Sequence, residues 1–313
     1  MLTLAELAYP LVDPIAFRVL GHPVRWYGIS YVLAFAGAWV ILRMLARRGR
    51  WPVAEDRVAD VLFWGILGVF LGGRLGWVLF YGMHQAGWSW SSLLKVWEGG
   101  MSFHGGLLGV ILAYWTYCAR MGLRRGEFFD GLSLATTPGL FIVRLANFVN
   151  AELYGRVWDG PWAMRFPDYE HPAVRGPDHW VAGDPVRGPW LPDLRHPSQL
   201  YEALGEGILL FLALRWLMLR RGVGGGRIAA AFLIGYGLVR FAVEFTREPD
   251  AGIGYQAFGL TRGQELCAAM VLAGLVVLAL CRRAPTPASP AALPPAAPPP
   301  AAPTSGGGGA PQA

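Results

Sequence analysis

Residues 144–156 read Arg-Leu-Ala-Asn-Phe-Val-Asn-Ala-Glu-Leu-Tyr-Gly-Arg and close an apolar run that begins near residue 127. A run of that length crosses a bilayer as a helix. A guanidinium at membrane depth is costly, so it faces a partner or a watery cavity rather than lipid. At roughly 100° per residue, Asn147 falls about 60° from Arg144 and Gly155 returns to within about 20°. One helical face is therefore expected to carry Arg144, Asn147 and Gly155, with Phe148 beside them and Asn150 pointing elsewhere. Interhelical glue is the plain alternative for a lone arginine, and the polar company of Arg144 weighs against it.

The rest of the chain has the same character. Hydrophobic residues make up 54%, charged residues only 15%, and mean hydropathy is +0.37, which excludes an ordinary soluble domain. Further apolar runs lie at about 25–46, 59–82, 198–219, 226–246 and 262–281. A seventh, about 92–118, is broken by Glu98-Gly99-Gly100 and His104-Gly105-Gly106. It is expected to be a short re-entrant piece followed by a span from about 103 to 118. Such breaks persist in a membrane only where protein or a cavity satisfies the freed backbone.

The expected fold is all-α and polytopic, with seven transmembrane helices. Arg47, Arg48, Arg50 and Arg57 lie between spans one and two, and Arg120, Arg124 and Arg125 between three and four. Arg220, Arg221 and Arg227 lie between five and six, and Arg282 and Arg283 follow span seven. These boundaries share one face, so the positive-inside rule puts the N-terminus outside and the C-terminus in the cytoplasm. The membrane domain covers 1–283. A small outer head, about 152–197, lies between spans four and five, with Trp158, Trp162, Trp180 and Trp190 suited to the headgroup layer. Residues 284–313, nearly all Ala, Pro, Gly, Ser and Thr, are expected to form a disordered tail. No cleavable signal peptide is evident. Cys118, Cys267 and Cys281 form no C-x-x-C pair and are expected to pack as small apolar residues.

Several further groups offer chemistry. His104 opens a helix ahead of two glycines, where backbone amides could meet an anion and the imidazole could act as a base. A helix-start histidine bonded to a carbonyl explains it equally well. Tyr236, Arg240 and Glu244 recur at i, i+4 and i+8 on one stripe. They either line a polar cavity or form an internal ion pair. His196-Pro197-Ser198-Gln199-Leu200-Tyr201-Glu202 opens span five, with Gln199 and Glu202 at the depth of Tyr27. Arg74 is one more intramembrane arginine. Two buried arginines with too few carboxylates nearby point to an anionic guest, and guanidinium forks match phosphate oxygens. A phospholipid head group entering from the outer leaflet fits that setting. An anion or phospholipid transporter would also use arginines at broken helices, but it needs a path to both faces.

The combination resembles the prolipoprotein diacylglyceryl transferase family. Arg144 to Gly155 matches its Arg-x-x-Asn-Phe-x-Asn-x-Glu-x-x-Gly signature, with Val143 where glycine is usual. WYGISY at 26–31, LGGRLG at 71–76, WEGGMSFHGGLLG at 97–109 and HPSQLYE at 196–202 extend the likeness in family order. The resemblance implies transfer of a diacylglyceryl group from phosphatidylglycerol to the lipobox cysteine of a preprolipoprotein signal peptide, releasing glycerol 1-phosphate. It implies a multi-pass protein of the bacterial cytoplasmic membrane, facing the outer leaflet. By motif position Arg144 and Arg240 bind phosphate, beside Tyr236, and His104 is a proposed base. Tyr27, Asn147, Glu152, Gly155 and Glu244 are matched as important to activity. No metal, organic cofactor or nucleic-acid partner is expected.

Overall fold

A computed structural model describes residues 7–10, 12–80, 82–84, 99–168, 190–220, 224–248, 254–256 and 259–283. Seven long helical rods stand where the apolar runs lie. They are α1 (Trp26–Arg47), α2 (Val58–Phe80), α3 (Phe103–Met121), α4 (Arg125–Val149), the joined pair α5 (Ser198–Glu202) and α6 (Leu210–Leu219), α7 (Arg227–Glu244) and α8 (Arg262–Arg283). A π-helical stretch, Ala203–Leu209, joins α5 to α6. Four segments are each long and apolar enough to cross a membrane: Trp26–Arg47, Glu55–Phe80, Arg125–Val149 and Arg262–Cys281. Charge inside α7 and the π stretch between α5 and α6 lower the apolar character or continuity of those rods. Outward-facing side chains are apolar, with Val32 68% and Leu112 67% exposed. In water that would be a liability; against lipid tails it is solvation.

The fold is not purely helical. Ahead of α1, β1 (Ile15–Val19) and β2 (His22–Arg25) pair antiparallel. Leu20 and Gly21 reverse the chain with φ of 49° and 83°, the positive pair a tight two-residue hairpin uses. The expected re-entrant piece falls mostly on residues 85–98, and the expected tail is 284–313; both lie outside the described residues, as does Trp180.

Two packing devices set the bundle. α2 and α3 meet through glycine. A Cβ on Gly72 would lie 2.4 Å from the Gly105 carbonyl, and one on Gly109 2.1 Å from that of Gly68. The two backbones touch, as small residues allow between membrane helices. The glycines after His104 therefore admit a neighbouring helix, not a ligand, and Ser102 Oγ already accepts from Gly105 N at 3.2 Å. Arg74, buried on α2, donates to the carbonyls of Gly99 (2.5 Å) and Gly100 (2.8 Å), satisfying backbone at the break.

The second device is α4. Its Pro138 cannot donate to the carbonyl four residues back, and Thr137 Oγ1 bonds that freed Leu134 oxygen at 2.9 Å. Near its start, Asp130 accepts from the amides of Gly226 (2.9 Å), Ile228 (2.9 Å) and Ala229 (2.8 Å). It caps the N-terminus of α7 from a hundred residues away in the chain. Around it Leu42, Trp51, Val58, Phe128, Leu214 and Ile228 form the main apolar core. Arg144 sits 14 residues further along α4, roughly 21 Å away at 1.5 Å per residue.

The described part of the head, 152–168 and 190–197, packs as a cap on the far end of α4. Tyr9, Phe148, Ala151, Met164 and Phe166 make its small core. Isolated bridges Val157–Arg195 and Pro167–Trp190 hold its strands of coil together.

Candidate functional site

At the far end of the bundle, three rods bring charge together. Arg144 comes from the last turns of α4. Glu202 ends α5 and Glu206 sits in the π stretch. Arg240 and Glu244 come from α7, and Arg247 from the turn after it. Glu202 is 3.0 Å from Arg144, 3.2 Å from Arg247 and 3.6 Å from Arg240. Glu206 is 3.3 Å from Arg144 and 3.9 Å from Arg240. Glu244 pairs with Arg240, lies 3.7 Å from Arg247 and accepts Thr261 Oγ1 at 2.8 Å. Arg144 and Arg240 thus share both glutamates, in one cluster.

The local sequence explains the convergence. Gly205 and Gly207 flank Glu206; a Cβ on the first would strike Val239 of α7 at 2.5 Å, and on the second Phe141 of α4 at 2.5 Å. Their absence of side chains lets the fifth rod wedge between α4 and α7, carrying Glu206 between the two arginines. The π turn adds a residue per turn there, a distortion frequent at functional sites. Gly263 likewise leaves room for the Glu244 carboxyl, which a Cβ would approach to 2.4 Å.

The charge balance differs from the expectation. Arg144, Arg240 and Arg247 face Glu202, Glu206 and Glu244, three against three. With Glu206 and Arg247 included, the described residues of the site carry no surplus of positive charge to demand an anion. Signals for both were present: Glu206 follows Glu202 by four residues between glycines, and Arg247 extends the 236/240/244 stripe. What distinguishes the two charges is their accessibility. The arginine side chains keep 13–16% exposure, whereas Glu202 and Glu206 keep 0%. Glu244 keeps 7%, so exposure in the cluster lies mainly with the cations.

A second polar group adjoins the first. α4 ends at Val149, so Gly155 is not on its face as expected. Ala151 and Leu153 take φ of 52° and 59°, left-handed values that cost roughly 1–2 kcal/mol each in a non-glycine residue. They turn the chain back, and Asn150, expected to point away, joins Asn147 on Glu152: their Nδ2 atoms lie 2.8 and 3.5 Å from Glu152 Oε1. Ser198 Oγ donates to Leu153 O at 2.9 Å and Gln199 Nε2 to Glu152 O at 2.8 Å, holding the reversal in place. Gly155 is a crossing point of three segments. Its amide donates to His196 O at 2.8 Å, and a Cβ there would lie 2.3 Å from Thr246 O.

Tyr27, on α1, has its hydroxyl 3.1 Å from that of Tyr31 and lies within electrostatic reach of Glu152 and Arg144. Tyr236 is within the same reach of Arg144, Arg240, Glu202 and Glu206. His104 is different. It is exposed at the start of α3, its ring 5.6 Å from Phe103, and shares no described hydrogen bond, ion pair or ring contact with the arginine group. In the head, His196 stacks on Trp158 at 4.2 Å, and Tyr201 joins His196 Nδ1 (3.2 Å) to Trp162 Nε1 (2.7 Å). Burial pushes the His196 imidazole below its ordinary pKa, so it is neutral in this aromatic group. All three cysteines are free, with Cys118 and Cys267 buried.

The family model described as prolipoprotein diacylglyceryl transferase matches residues 14–280. A phosphatidylglycerol–prolipoprotein diacylglyceryl transferase of Rhodospirillum rubrum is 44% identical, covering 92% of this chain and 98% of its own. Proteins of the same name from Pseudomonas aeruginosa (41%; 87% and 94%) and Xanthomonas axonopodis pv. citri (44%; 88% and 93%) are similar over nearly the same extent. The chain belongs to the prolipoprotein diacylglyceryl transferase family.

Proposed function

We propose that this transferase moves the diacylglyceryl group of phosphatidylglycerol onto the lipobox cysteine of a prolipoprotein signal peptide, and that the reaction runs between Arg144 and Arg240. The observation that carries the reading is that these two guanidiniums, on different rods, converge on the same two glutamates and keep 16% exposure while those carboxylates keep none. A phosphodiester held by both forks presents its glyceryl carbon to an incoming sulfur. The cysteine thiolate attacks that carbon, the carbon–oxygen bond breaks, and glycerol 1-phosphate leaves with the bonding pair. Charge on the phosphate rises as that bond breaks, so fixed donors stabilise the transition state more than the bound lipid.

The thiolate is the reactive form, and an unperturbed thiol near pKa 8.5 is mostly protonated at neutral pH. His104 is the proposed base, delivered by the α3 start. Glu152, fixed by Asn147 and Asn150, orients the approach beside Tyr27. Glu244 aims Arg240, Tyr236 lines the cavity, and Gly155 keeps the head close. The chain sits in the bacterial cytoplasmic membrane with its N-terminus outside and the site toward the outer leaflet, an orientation supported by the arginine-rich boundaries. Purified protein incubated with phosphatidylglycerol and a lipobox peptide should yield thioether-linked peptide and glycerol 1-phosphate in equal amounts. Lipid movement without covalent product would show a transporter instead.

A further inference from the structure

The charge count raises a question that rests on the function proposed above. Three arginines and three glutamates sum to zero, yet a phosphodiester brings one more negative charge into a site whose arginine side chains keep only 13–16% exposure and whose glutamates keep 0–7%. A net buried charge is strongly disfavoured where hydrocarbon surrounds it. One carboxylate must give up its charge when the lipid arrives, and the three are not held equally.

Glu244 is held by Arg240 and by the Thr261 hydroxyl at 2.8 Å. Glu202 touches all three arginines, the nearest at 3.0 Å; its Oε2 lacks a well-directed hydrogen bond but is itself the atom facing Arg144 at that distance. Glu206 is the weakest. It meets only two arginines, its Oε2 accepts from Arg144 at 3.3 and 3.4 Å, and its Oε1 has no hydrogen-bond donor among the described residues. Arg240 Nε lies 3.9 Å from that oxygen. The side chain is wholly buried. A phosphate engaging Arg144 and Arg240 competes with this carboxylate for the same forks.

We infer that Glu206 takes up one proton when a phosphodiester lipid binds. The balance closes: one monoanionic lipid and one proton enter a neutral site, leaving three cations, two carboxylates and one phosphate. The proton can leave with the phosphate product, so the residue is reset each turnover. Every ionisable neighbour has been assigned a side in this: Arg144 on α4, Glu202 on the same rod, Tyr236 and Arg240 on α7, and Cys267 on α8. The arginines stay charged, and the tyrosine and thiol are neutral donors that cannot supply the missing charge at neutral pH.

Calorimetric titration of the full-length protein with short-chain phosphatidylglycerol tests this, from about pH 5 to about pH 9, where perturbed carboxylates titrate. If a proton enters with the lipid, affinity falls by roughly tenfold per pH unit on the alkaline side, and is flat on the acid side. Glu206→Gln fixes the neutral form and should bind with no pH slope, near the acid-limit affinity of the parent; Glu202→Gln should keep the slope. A slope that survives Glu206→Gln, or vanishes in Glu202→Gln instead, overturns the assignment. Should Glu206→Gln not fold, titrating the parent on the alkaline limb in two buffers of different ionisation heat still decides, because uptake there other than one proton per lipid refutes it. No lipid binding at any pH, together with no transfer to a lipobox peptide, instead removes the function on which the inference stands.

Discussion

Asp130 and Glu206 are both carboxylates sunk in the same bundle, one near the start of α4 and the other beside Arg144, roughly 21 Å further along that helix, and they are treated in opposite ways. Asp130 receives three backbone amides at 2.8–2.9 Å from the start of α7, with apolar side chains packed around it. Its hydrogen-bonding capacity goes to joining two helices. Glu206 has long contacts to two arginines, an oxygen without a donor among the described residues, and glycines on either side. The first arrangement suits a joint, since a buried polar group fully satisfied rigidifies its surroundings. The second is poor design for stability alone, since replacing a buried ion cluster by apolar residues often stabilises a protein. A bundle that can satisfy one carboxylate so completely and leaves another so loosely held keeps its imperfect end for ligand chemistry.

The largest expected effects separate the two ends most sharply. Arg144→Lys and Arg240→Lys keep the charge but lose the planar fork, so each should lower transfer by about 10²–10³-fold, in the range seen when a transition-state donor is removed. Thermal unfolding in detergent should shift little. The alanine versions should cost fold as well as activity, because Glu202 and Glu206 would each lose one of their buried partners, and a broken buried pair costs about 3–5 kcal/mol. An Arg144→Lys enzyme with near-parental turnover would erase the contrast.

Asp130→Ala is the mirror experiment. It leaves the amides of Gly226, Ile228 and Ala229 without an acceptor in an apolar core, which should cost about 2–3 kcal/mol. Turnover per folded molecule should be unchanged. Losing activity without losing stability would show that the two ends are coupled rather than distinct.

These two ends were unequally legible in the sequence. Apolar runs bounded by arginines gave all seven rods, because bilayer thickness leaves a helix few other lengths. The hairpin before α1 was missed, since a short Ile-Ala-Phe-Arg-Val strand carries no membrane signal. Arg144, Arg240 and Glu244 stood out as charges in apolar stretches. Glu206 did not, although it lies between glycines whose meaning depends on Val239 and Phe141, partners distant in sequence. Helical periodicity also misplaced Asn150 and Gly155, because it cannot anticipate left-handed residues at Ala151 and Leu153 that end the periodicity. Asp130 gave no hint of its role; a carboxylate that caps a helix a hundred residues away has no local signature.

His104 belongs to neither end by its described contacts, and Gly109 shows why the start of α3 matters anyway. Gly109→Ala would press a Cβ to 2.1 Å from the Gly68 carbonyl and force α2 and α3 apart, at about 1–3 kcal/mol. If α3 delivers His104 to the substrate, transfer should fall together with stability, and His104→Gln should lower turnover by about 10²-fold or more without a shift in unfolding. Full turnover in His104→Gln, with Gly109→Ala still impaired, would assign α3 a packing role and leave the arginine cavity to act with another base.

The smallest effect tests whether the contrast concerns burial rather than charge as such. Arg124 and Glu127 form an ion pair of 2.9 Å near the start of α4, close in the chain to Asp130, with the Arg124 side chain 54% exposed. Exposed pairs of this kind are worth about 0.2–1 kcal/mol, because solvent screens them and two flexible side chains lose freedom. Arg124→Gln should therefore move the unfolding midpoint by little and turnover not at all, although its heavy-atom distance is shorter than any Glu206 makes. A loss approaching that of Asp130→Ala would mean that charge placement near the start of α4, not the amide cap alone, secures that end of the bundle.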